Sequence, residues 1–351
     1  MVLSSDTKNK ITQLVTAQMQ KHKAPGLFIT IAGKGEILFC GSFGLRDLDT
    51  GMQMDTDTLV YIASATKAFT ALSCAILVEQ KKLAWDRPLA QYIPSFETAD
   101  PYITENATII DLLSHRTGIP EFPSLGREGM TRADLFANLK NTAPTKAFRT
   151  VWQYSNSLYG VAGYIVELLS GQPWEAFVEE FIFTPLEMKH SDFAFVFDWP
   201  HNNRSKLYTL QDDRAVLFAF PKSEVRHFDA CGPAGSINSN ANDMGKWLLF
   251  LLDGGKRLLC NENFAMMTTP HCITDMEPET GKENFSTACY SLGWVNQWYK
   301  GRHIIWHNGS FGSFVSFMPD AQIGIAVVPN MDSHLGRDIS YEIYDLILGS
   351  I

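Results

Sequence analysis

The chain has 351 residues, of which 45% are hydrophobic and 19% are charged, a balance typical of a globular protein with a sizeable core. Its formal net charge is −9 at pH 7, and no run of lysines and arginines occurs in it. Because a nucleic-acid binder needs a clustered basic face, the composition argues against a nucleic-acid partner.

The sequence also carries no obvious targeting or metal-binding pattern. The first twenty residues lack an apolar signal-peptide segment, and no stretch reaches about 18 consecutive apolar residues, so we expect no membrane partner and a cytoplasmic location. The six cysteines form no Cys-x-x-Cys pair, which favours free thiols in a reducing compartment. The histidines show no ligand spacing, so we expect neither a metal nor a cofactor.

The first 60 residues predict a helix followed by a β-hairpin. Apolar residues recur at helical spacing over residues 5–22. Residues 27–32 and 37–44 then predict two strands joined by a turn. The turn contains a Gly-x-Gly, but no helix follows it, so a phosphate-binding loop is disfavoured.

Residues 61–190 predict helices and loops almost throughout. The predicted helices after the one that begins near Ser64 cover residues 108–115, 131–140, 158–169 and 174–183. Residues 193–197 and 215–220 could be strands of a local extension. Residues 232–236, Gly-Pro-Ala-Gly-Ser, predict a tight turn, and Asn242-Asp243 predicts a cap for a helix over residues 244–252.

The last part of the chain returns to strand character. Four strands are predicted over residues 290–295, 303–306, 314–318 and 323–328, and a closing helix over residues 335–349. The simplest fold is α+β, an α/β sandwich. One antiparallel sheet from the N- and C-terminal thirds is covered by helices and carries a large, mostly helical insertion.

We expect a single catalytic domain over residues 1–351. Its sheet-containing part would comprise residues 1–60 and 230–351, and its mostly helical part residues 61–229. A site is expected in the cleft between these two parts.

A serine and a lysine three residues apart begin a helix that is apolar over most of its circumference. Ser64 and Lys67 lie on one face, one helical turn apart. Ser64 would sit in the first turn, where unpaired N–H groups and the helix dipole favour developing negative charge. A desolvated, neutral Lys67 could take the serine proton. On these residues alone, an N-cap role for Ser64 stays open.

Two further motifs occur later in the chain. Tyr-Ser-Asn at 154–156 stands in a turn ahead of an apolar helix, and His-Asn-Gly-Ser at 307–310 stands at the end of a strand. Each has a structural alternative. Tyr154 could be a packed turn tyrosine, Asn156 a helix cap, and His307 a histidine with purely structural hydrogen bonds.

Together, the three motifs resemble those of the serine β-lactamase and penicillin-binding-protein superfamily, and most closely its class C-like branch. That branch also holds esterases, D-amino-acid peptidases and amidases, and acyltransferases. Residues 24–26, 108–119, 232–236 and 242–244 resemble the family's intervening segments, so the resemblance covers nearly the whole chain. It implies a β-lactamase/transpeptidase-like fold.

The resemblance also implies roles for the first two motifs. Ser64 would be the nucleophile that forms an acyl-enzyme, and Lys67 the general base or the group that maintains the protonation pattern. Tyr154 would shuttle a proton to the leaving group, with a pKa lowered by nearby Lys67. Asn156 would position the substrate and hold Lys67.

The third motif departs from the β-lactamase pattern. Backbone N–H groups of Ser64 and Ser310 would form the oxyanion hole. Gly309 would leave room for the substrate backbone along the strand. However, β-lactamases usually carry Lys-Thr-Gly where this chain has His307-Asn308-Gly309. A lysine supplies a fixed positive charge for a substrate carboxylate, whereas a histidine is mostly neutral near pH 7.

The sequence therefore predicts a serine hydrolase that cleaves a small ester, an amide or a short peptide through a Ser64 acyl-enzyme. A carboxylesterase or a peptidase/amidase is favoured over a true β-lactamase. An acyltransferase on the same scaffold is the alternative. A non-catalytic binding relative is disfavoured, because Ser64, Lys67 and Tyr154 are all present. The sequence predicts no oligomeric state.

Overall fold

The computed structural model describes residues 2–123, 129–193, 203–218, 227–276 and 282–349. Its helices are α1 (Ser5–His22), α2 (Lys67–Glu79), α3 (Pro101–Asn106), α4 (Ile109–Leu113), α5 (Arg132–Asn138), α6 (Asn156–Ser170), α7 (Trp174–Val178), α8 (Thr184–Leu186), α9 (His227–Gly235), α10 (Ala241–Leu252), α11 (Asn261–Thr268) and α12 (Leu335–Leu348). A π-helix, Glu179–Phe183, joins α7 to α8. Short 3₁₀ turns occur at Ala63–Thr66, Leu89–Gln91, Leu139–Asn141, Lys282–Asn284 and Ser310–Gly312.

The strands are β1 (Gly26–Gly33), β2 (Glu36–Asp47), β3 (Met52–Gln53), β4 (Val60–Tyr61), β5 (Tyr208–Gln211), β6 (Arg214–Leu217), β7 (Asn238–Ser239), β8 (Cys272–Ile273), β9 (Cys289–Tyr290), β10 (Val295–Tyr299), β11 (Arg302–Asn308), β12 (Phe314–Met318) and β13 (Ile323–Pro329). Within the described ranges, nine of them form one sheet in the order β3-β2-β1-β13-β12-β11-β10-β9-β8. Its neighbours are antiparallel, and β1 pairs with both β2 and β13. The predicted α+β fold is therefore confirmed, with the two ends of the chain joined in one sheet.

The sheet separates two apolar layers. β1 and β13 are buried along their whole length, which is why both appear as continuous apolar runs in the sequence. Successive side chains alternate between the faces, so Leu27 and Ile29 join the layer under α1 and α12. Phe28 joins the layer formed with α2, α6 and α10.

Helix α2 lies in the core, as its apolar sequence predicts. Every residue from Lys67 to Leu77 is buried. The hydroxyl of Thr70 donates to the carbonyl of Pro233 at 2.6 Å, and the hydroxyl of Ser73 to that of Phe69 at 2.9 Å. The polar groups of this helix are thus satisfied internally, and Lys67 enters the interior as its first residue.

The predicted tight turn at residues 232–236 is wrong, because most of this segment is the end of helix α9. The Ser236 N–H donates to the Gly232 carbonyl at 2.8 Å. The carbonyls of Pro233 and Ala234 accept hydrogen bonds from Thr70 and Lys67 of α2. The last carbonyls of a helix have no hydrogen-bond donors within that helix. Here side chains of α2 supply the donors.

Three predicted boundaries also differ. The strand predicted over residues 290–295 is two strands, β9 and β10, separated by a turn in which Gly293 has φ 75°. Helix α6 begins at Asn156 with Ser155 as its cap, and α10 begins at Ala241 with Asn240 as its cap. Polar residues occupy the first turns of both helices, so the apolar pattern starts later than the helix.

The predicted extension is present in part as a hairpin of β5 and β6. Phe193 is not in a strand, and residues 194–197 and 219–220 of the predicted strands lie outside the described residues. No helix in the described ranges combines the length and apolar character that crossing a bilayer requires.

Candidate active site

Ser64 lies in the 3₁₀ turn Ala63–Thr66, immediately before α2. The preceding Ala63 has φ 49°, a left-handed conformation that is uncommon for a residue other than glycine. The Ile62 N–H donates to the Ile237 carbonyl at 3.0 Å, which fixes the approach to this turn. Ser64 remains partly exposed while Lys67 is fully buried, so the turn presents the serine at the surface of the helical layer.

The side chains of the first two motifs converge on one oxygen. Lys67 Nζ lies 3.1 Å from Ser64 Oγ, and the Tyr154 hydroxyl lies 3.0 Å from the same atom. Residues 64 and 154 are far apart in sequence, and the packing of α2 against α6 brings them together. The arrangement puts two proton-transfer groups in direct contact with a serine hydroxyl.

Lys67 has two further partners, and both are oxygens that can only accept. Its Nζ donates to Asn156 Oδ1 at 2.8 Å and to the Ala234 carbonyl at 2.9 Å. A neutral amine has two N–H groups, and each can donate to one of these oxygens. Its lone pair is then free to accept the proton of the Ser64 hydroxyl. Burial lowers the pKa of Lys67 to about 7, so the neutral amine is accessible near neutral pH.

The predicted lowering of the Tyr154 pKa is not found. Burial raises the pKa of the Tyr154 phenol above its usual value, although the hydrogen bond to Ser64 opposes this. Lys67 Nζ lies 4.6 Å from the centre of the Tyr154 ring. However, an amine that is itself close to neutral supplies little positive charge to stabilise a phenolate. Tyr154 is therefore a protonated phenol at neutral pH.

His307 is buried below the surface of the cleft, and both of its ring nitrogens are used internally. Nδ1 lies 2.6 Å from the Asn308 carbonyl, which can only accept, so Nδ1 carries the proton. Nε2 then accepts from the Tyr290 hydroxyl at 2.8 Å. Burial and the charge of Lys67 lower the pKa of His307 to about 3. The ring is neutral and organises the end of β11.

This arrangement predicts that His307 contributes to stability and not to charge recognition. His307→Phe should lower the free energy of unfolding by about 1–3 kcal/mol, because the buried Tyr290 hydroxyl loses its acceptor. Combining it with Tyr290→Phe should recover part of that loss. Urea unfolding of both variants measures the effect. A selective loss of activity on anionic esters in His307→Phe, relative to neutral esters of equal size, would contradict this role.

Gly309 lies against the chain that leads into the Ser64 turn. A Cβ there would lie 2.6 Å from the Ile62 carbonyl oxygen and 2.8 Å from the Ala63 methyl group, both of which precede Ser64. The Ser313 hydroxyl also donates to the Ile62 carbonyl, at 2.8 Å. The glycine thus lets the end of β11 lie against the chain that enters the Ser64 turn. Ser310 follows it and is exposed.

Gly309→Ala should therefore displace residues 62–63 and lower kcat by on the order of 10- to 100-fold, because small misplacements of reacting groups are costly. Gly41→Ala is the control. The three atoms nearest to its added Cβ belong to phenylalanine side chains, at 3.3 Å or more. Steady-state ester hydrolysis compares the two variants, and equal activities would show that the close approach at Gly309 does not matter.

Glu121 belongs to the site although no sequence motif contains it. Its carboxylate accepts from the backbone N–H of Asn156 at 2.6 Å and from that of Ser157 at 2.8 Å, and also from the Ser157 hydroxyl. A carboxylate at this helix N-terminus is stabilised by unpaired N–H groups and the helix dipole. It fixes where α6 begins, and so where Asn156 lies. The separation of 35 residues explains why no local motif indicates it.

A cavity of about 380 Å³ lies beside the third motif. Asn308 and Gly309 form one side of it, and Trp306, Arg337 and Tyr341 form part of the rest. Ser64, Lys67 and Tyr154 do not line it.

Of the tryptophans near the motifs, Trp294 is packed against Trp247 and Phe317 in the core. In the described part of the chain, no group of three or more His, Cys, Asp or Glu side chains could hold a metal ion.

The chain is similar in sequence to known proteins and in fold to solved structures. The relatives include unguisins hydrolase ungD' of Aspergillus campestris (strain IBT 28561), 27% identical over 354 residues, which cover 95% of this chain and 64% of that protein. Protein flp of Staphylococcus aureus (strain N315) is 26% identical over 353 residues, which cover 94% and 64%. The chain thus spans less than two thirds of the length of these relatives.

Two solved structures share the fold. The octameric penicillin-binding protein homologue from Pyrococcus abyssi has a TM-score of 0.81 and 23% identity, over 97% of this chain and 77% of that chain. EstCE1, described as a hydrolase with promiscuous acyltransferase activity, has a TM-score of 0.82 and 18% identity, over 98% of each chain. The sequence model of the Beta-lactamase family matches residues 11–346. Because that match spans nearly the whole sequence, the chain belongs to the Beta-lactamase family.

Proposed function

We propose that this chain is a serine hydrolase that cleaves an ester or amide bond through an acyl-enzyme on Ser64, within one catalytic domain over residues 1–351. The observation that supports this most is the contact of Ser64 Oγ with both Lys67 Nζ and the Tyr154 hydroxyl, at 3.1 and 3.0 Å. A nucleophile in direct contact with a base whose pKa is near 7 is the arrangement that covalent catalysis requires.

Acylation follows from the protonation states. Neutral Lys67 takes the Ser64 proton as Oγ attacks the substrate carbonyl, which forms a C–O bond and a tetrahedral oxyanion. The bond to the leaving group then breaks, and Tyr154 donates its phenolic proton to that group. The Tyr154 phenolate then regains a proton from the protonated Lys67, which restores both groups. In deacylation, water replaces the leaving group and the same transfers run in reverse.

The oxyanion is proposed to lie between two backbone N–H groups. Ser64 is the second residue of one 3₁₀ turn, and Ser310 is the first residue of another. Donors at the start of a helical turn have no partner within that turn. The packing of Gly309 against residues 62–63 brings these turns together.

The substrate is proposed to be a small ester, an amide or a short peptide, with Asn156, His307, Gly309 and Ser310 around it. A β-lactam is disfavoured because His307, neutral and buried, cannot supply the fixed positive charge of a lysine. His307 would act indirectly, through the backbone of the motif. The similarity to a protein named as an unguisins hydrolase supports hydrolysis.

Acyl transfer is the second candidate function. It is supported by the fold shared with EstCE1, a hydrolase described as having promiscuous acyltransferase activity. Both reactions use the same acyl-enzyme and differ only in whether water or another nucleophile accepts the acyl group. Product analysis of p-nitrophenyl acetate turnover with and without added alcohol or amine distinguishes them. An acetylated acceptor formed faster than free acetate would make transfer the main reaction.

The proposed function is tested with a reagent panel of p-nitrophenyl acetate, a p-nitroanilide and a penicillin. We expect turnover of the ester or the anilide by wild-type protein, and no turnover of the penicillin. Efficient penicillin hydrolysis would overturn the substrate assignment. Wild-type protein that turns over none of the three, and does not react with a fluorophosphonate, would overturn the enzyme assignment in favour of a binding protein.

A further inference from the structure

His115 makes hydrogen bonds to both chain neighbours of Tyr154. Its backbone carbonyl accepts from the Gln153 N–H at 2.8 Å, and its Nδ1 accepts from the Ser155 N–H at 3.1 Å. Its ring packs against the Tyr154 ring with 4.5 Å between the ring centres. One residue thus holds the backbone on either side of Tyr154 and one face of its side chain.

These bonds determine the state of the His115 ring. Because Nδ1 accepts, the proton is on Nε2, which is buried and has no hydrogen-bond partner among the described residues. The ionisable groups that surround the ring are Lys67 of α2, the tyrosines at 154 and 159, Tyr290 of β9, and His307 of β11. Burial, with the charge of Lys67, lowers the pKa of His115 well below its usual value. A protonated ring would lose its acceptor at Nδ1, so the neutral form is the one that holds Ser155.

The backbone of His115 is also held in an uncommon conformation. Its φ is 58°, in the left-handed region that glycine adopts without strain. Glycine would fit this backbone more easily but offers no side-chain acceptor. Strained conformations persist where the surrounding contacts over-determine them, and they cluster at functional sites.

We propose that His115 is a positioning residue that holds the Tyr154 hydroxyl on Ser64 Oγ. The proposal rests on the proposed function, since it assigns a role within the same acid–base pair. Without the Nδ1 bond, the turn before α6 is free to move, and displacement of a proton donor by about 1 Å is enough to slow catalysis on the order of 100-fold.

A double-mutant cycle tests this role, with kcat/KM for phenyl acetate measured on wild type, His115→Phe, Tyr154→Phe and the double variant. Phenylalanine keeps an aromatic ring but removes the acceptor. We expect His115→Phe to lower kcat/KM by about 10- to 100-fold in the presence of Tyr154, and by less than about 3-fold in the Tyr154→Phe background. Equal losses in both backgrounds, or no loss in the first, would overturn the proposal.

A second variant separates positioning from folding. His115→Asn keeps an acceptor close to the position of Nδ1 and tolerates a positive φ, so it should recover most of the activity that His115→Phe loses. If His115→Asn is as slow as His115→Phe while both melt like wild type, the Nδ1 bond is not the cause. Should His115→Phe not accumulate as folded protein, His115→Leu, which also lacks an acceptor, replaces it in the cycle.

Labelling with a fluorophosphonate keeps the two proposals distinguishable. Wild-type protein that is not labelled at Ser64 contradicts the proposed function itself. Wild-type protein that is labelled, together with a cycle that shows no coupling between His115 and Tyr154, contradicts only the positioning role.

Discussion

Replacing Ser64 by alanine should lower kcat for an activated ester by on the order of 10⁴- to 10⁶-fold, the largest loss expected for any single substitution in this chain. The serine oxygen forms the bond to the substrate, and neither Lys67 nor Tyr154 can replace it in the same geometry. Losses of this size accompany removal of the nucleophile from an acyl-transfer site. Steady-state hydrolysis of p-nitrophenyl acetate measures the loss.

Ser73→Ala is the matched control, because it removes a serine hydroxyl from the same buried helix. Among the described residues, that hydroxyl bonds only to the Phe69 carbonyl of its own helix. Ser73→Ala should therefore keep activity within about 3-fold of wild type, since it leaves the reacting groups in place. Comparable losses in the two variants would show that damage to α2, and not removal of a nucleophile, explains the Ser64 result.

The second large effect expected is on the pH dependence of ester hydrolysis. The value of kcat/KM should rise with pH, with a midpoint near pH 7. Lys67 can accept the serine proton only when neutral, and its pKa is about 7. Lys67→Met should lower kcat/KM by about 10²- to 10⁴-fold and remove this acidic limb. The pH dependence of kcat/KM from pH 5 to 9 checks both expectations. A limb that persists in Lys67→Met belongs to another group and would contradict the assignment of the base.

The same pKa shift has a consequence for stability. In the unfolded chain, Lys67 titrates near its usual value of about 10.4. Its folded pKa is lower, so the unfolded state binds more protons between about pH 7 and pH 10, and stability rises with pH in that window. Below pH 7, the cost of burying the charged amine is fully present. Relative to Lys67→Met, wild type should gain roughly a few kcal/mol of unfolding free energy between pH 7 and 10, measured by urea unfolding.

The sequence predicts the sheet well because its signals are local. β1 and β13 are continuous apolar runs, and the turns between them and their neighbours contain glycine or proline. The end of α9 is missed for the opposite reason. Gly232, Pro233 and Gly235 are poor helix formers, and their helical conformation depends on hydrogen bonds with α2 that no local pattern shows.

The three motifs of the site are visible in the sequence because each contains its own reactive residue. The groups that support them are not. Glu121, His115 and Tyr290 act on residues 17 to 40 positions away, so only the folded chain shows their contacts. The predicted direction of the Tyr154 pKa shift is wrong because the sequence does not show that the phenol itself is fully buried. Burial penalises the phenolate and outweighs the effect expected from nearby Lys67.

The most direct test of the Ser64–Lys67 pair is the rate at which a fluorophosphonate labels the intact protein between pH 5 and 9, followed by mass and peptide mapping. We expect one adduct, on the peptide that contains Ser64, with a labelling rate that rises to a plateau with a midpoint near pH 7. Ser64→Ala should stay unlabelled. An adduct on another residue, equal labelling of Ser64→Ala, or no labelling of wild type would contradict the account.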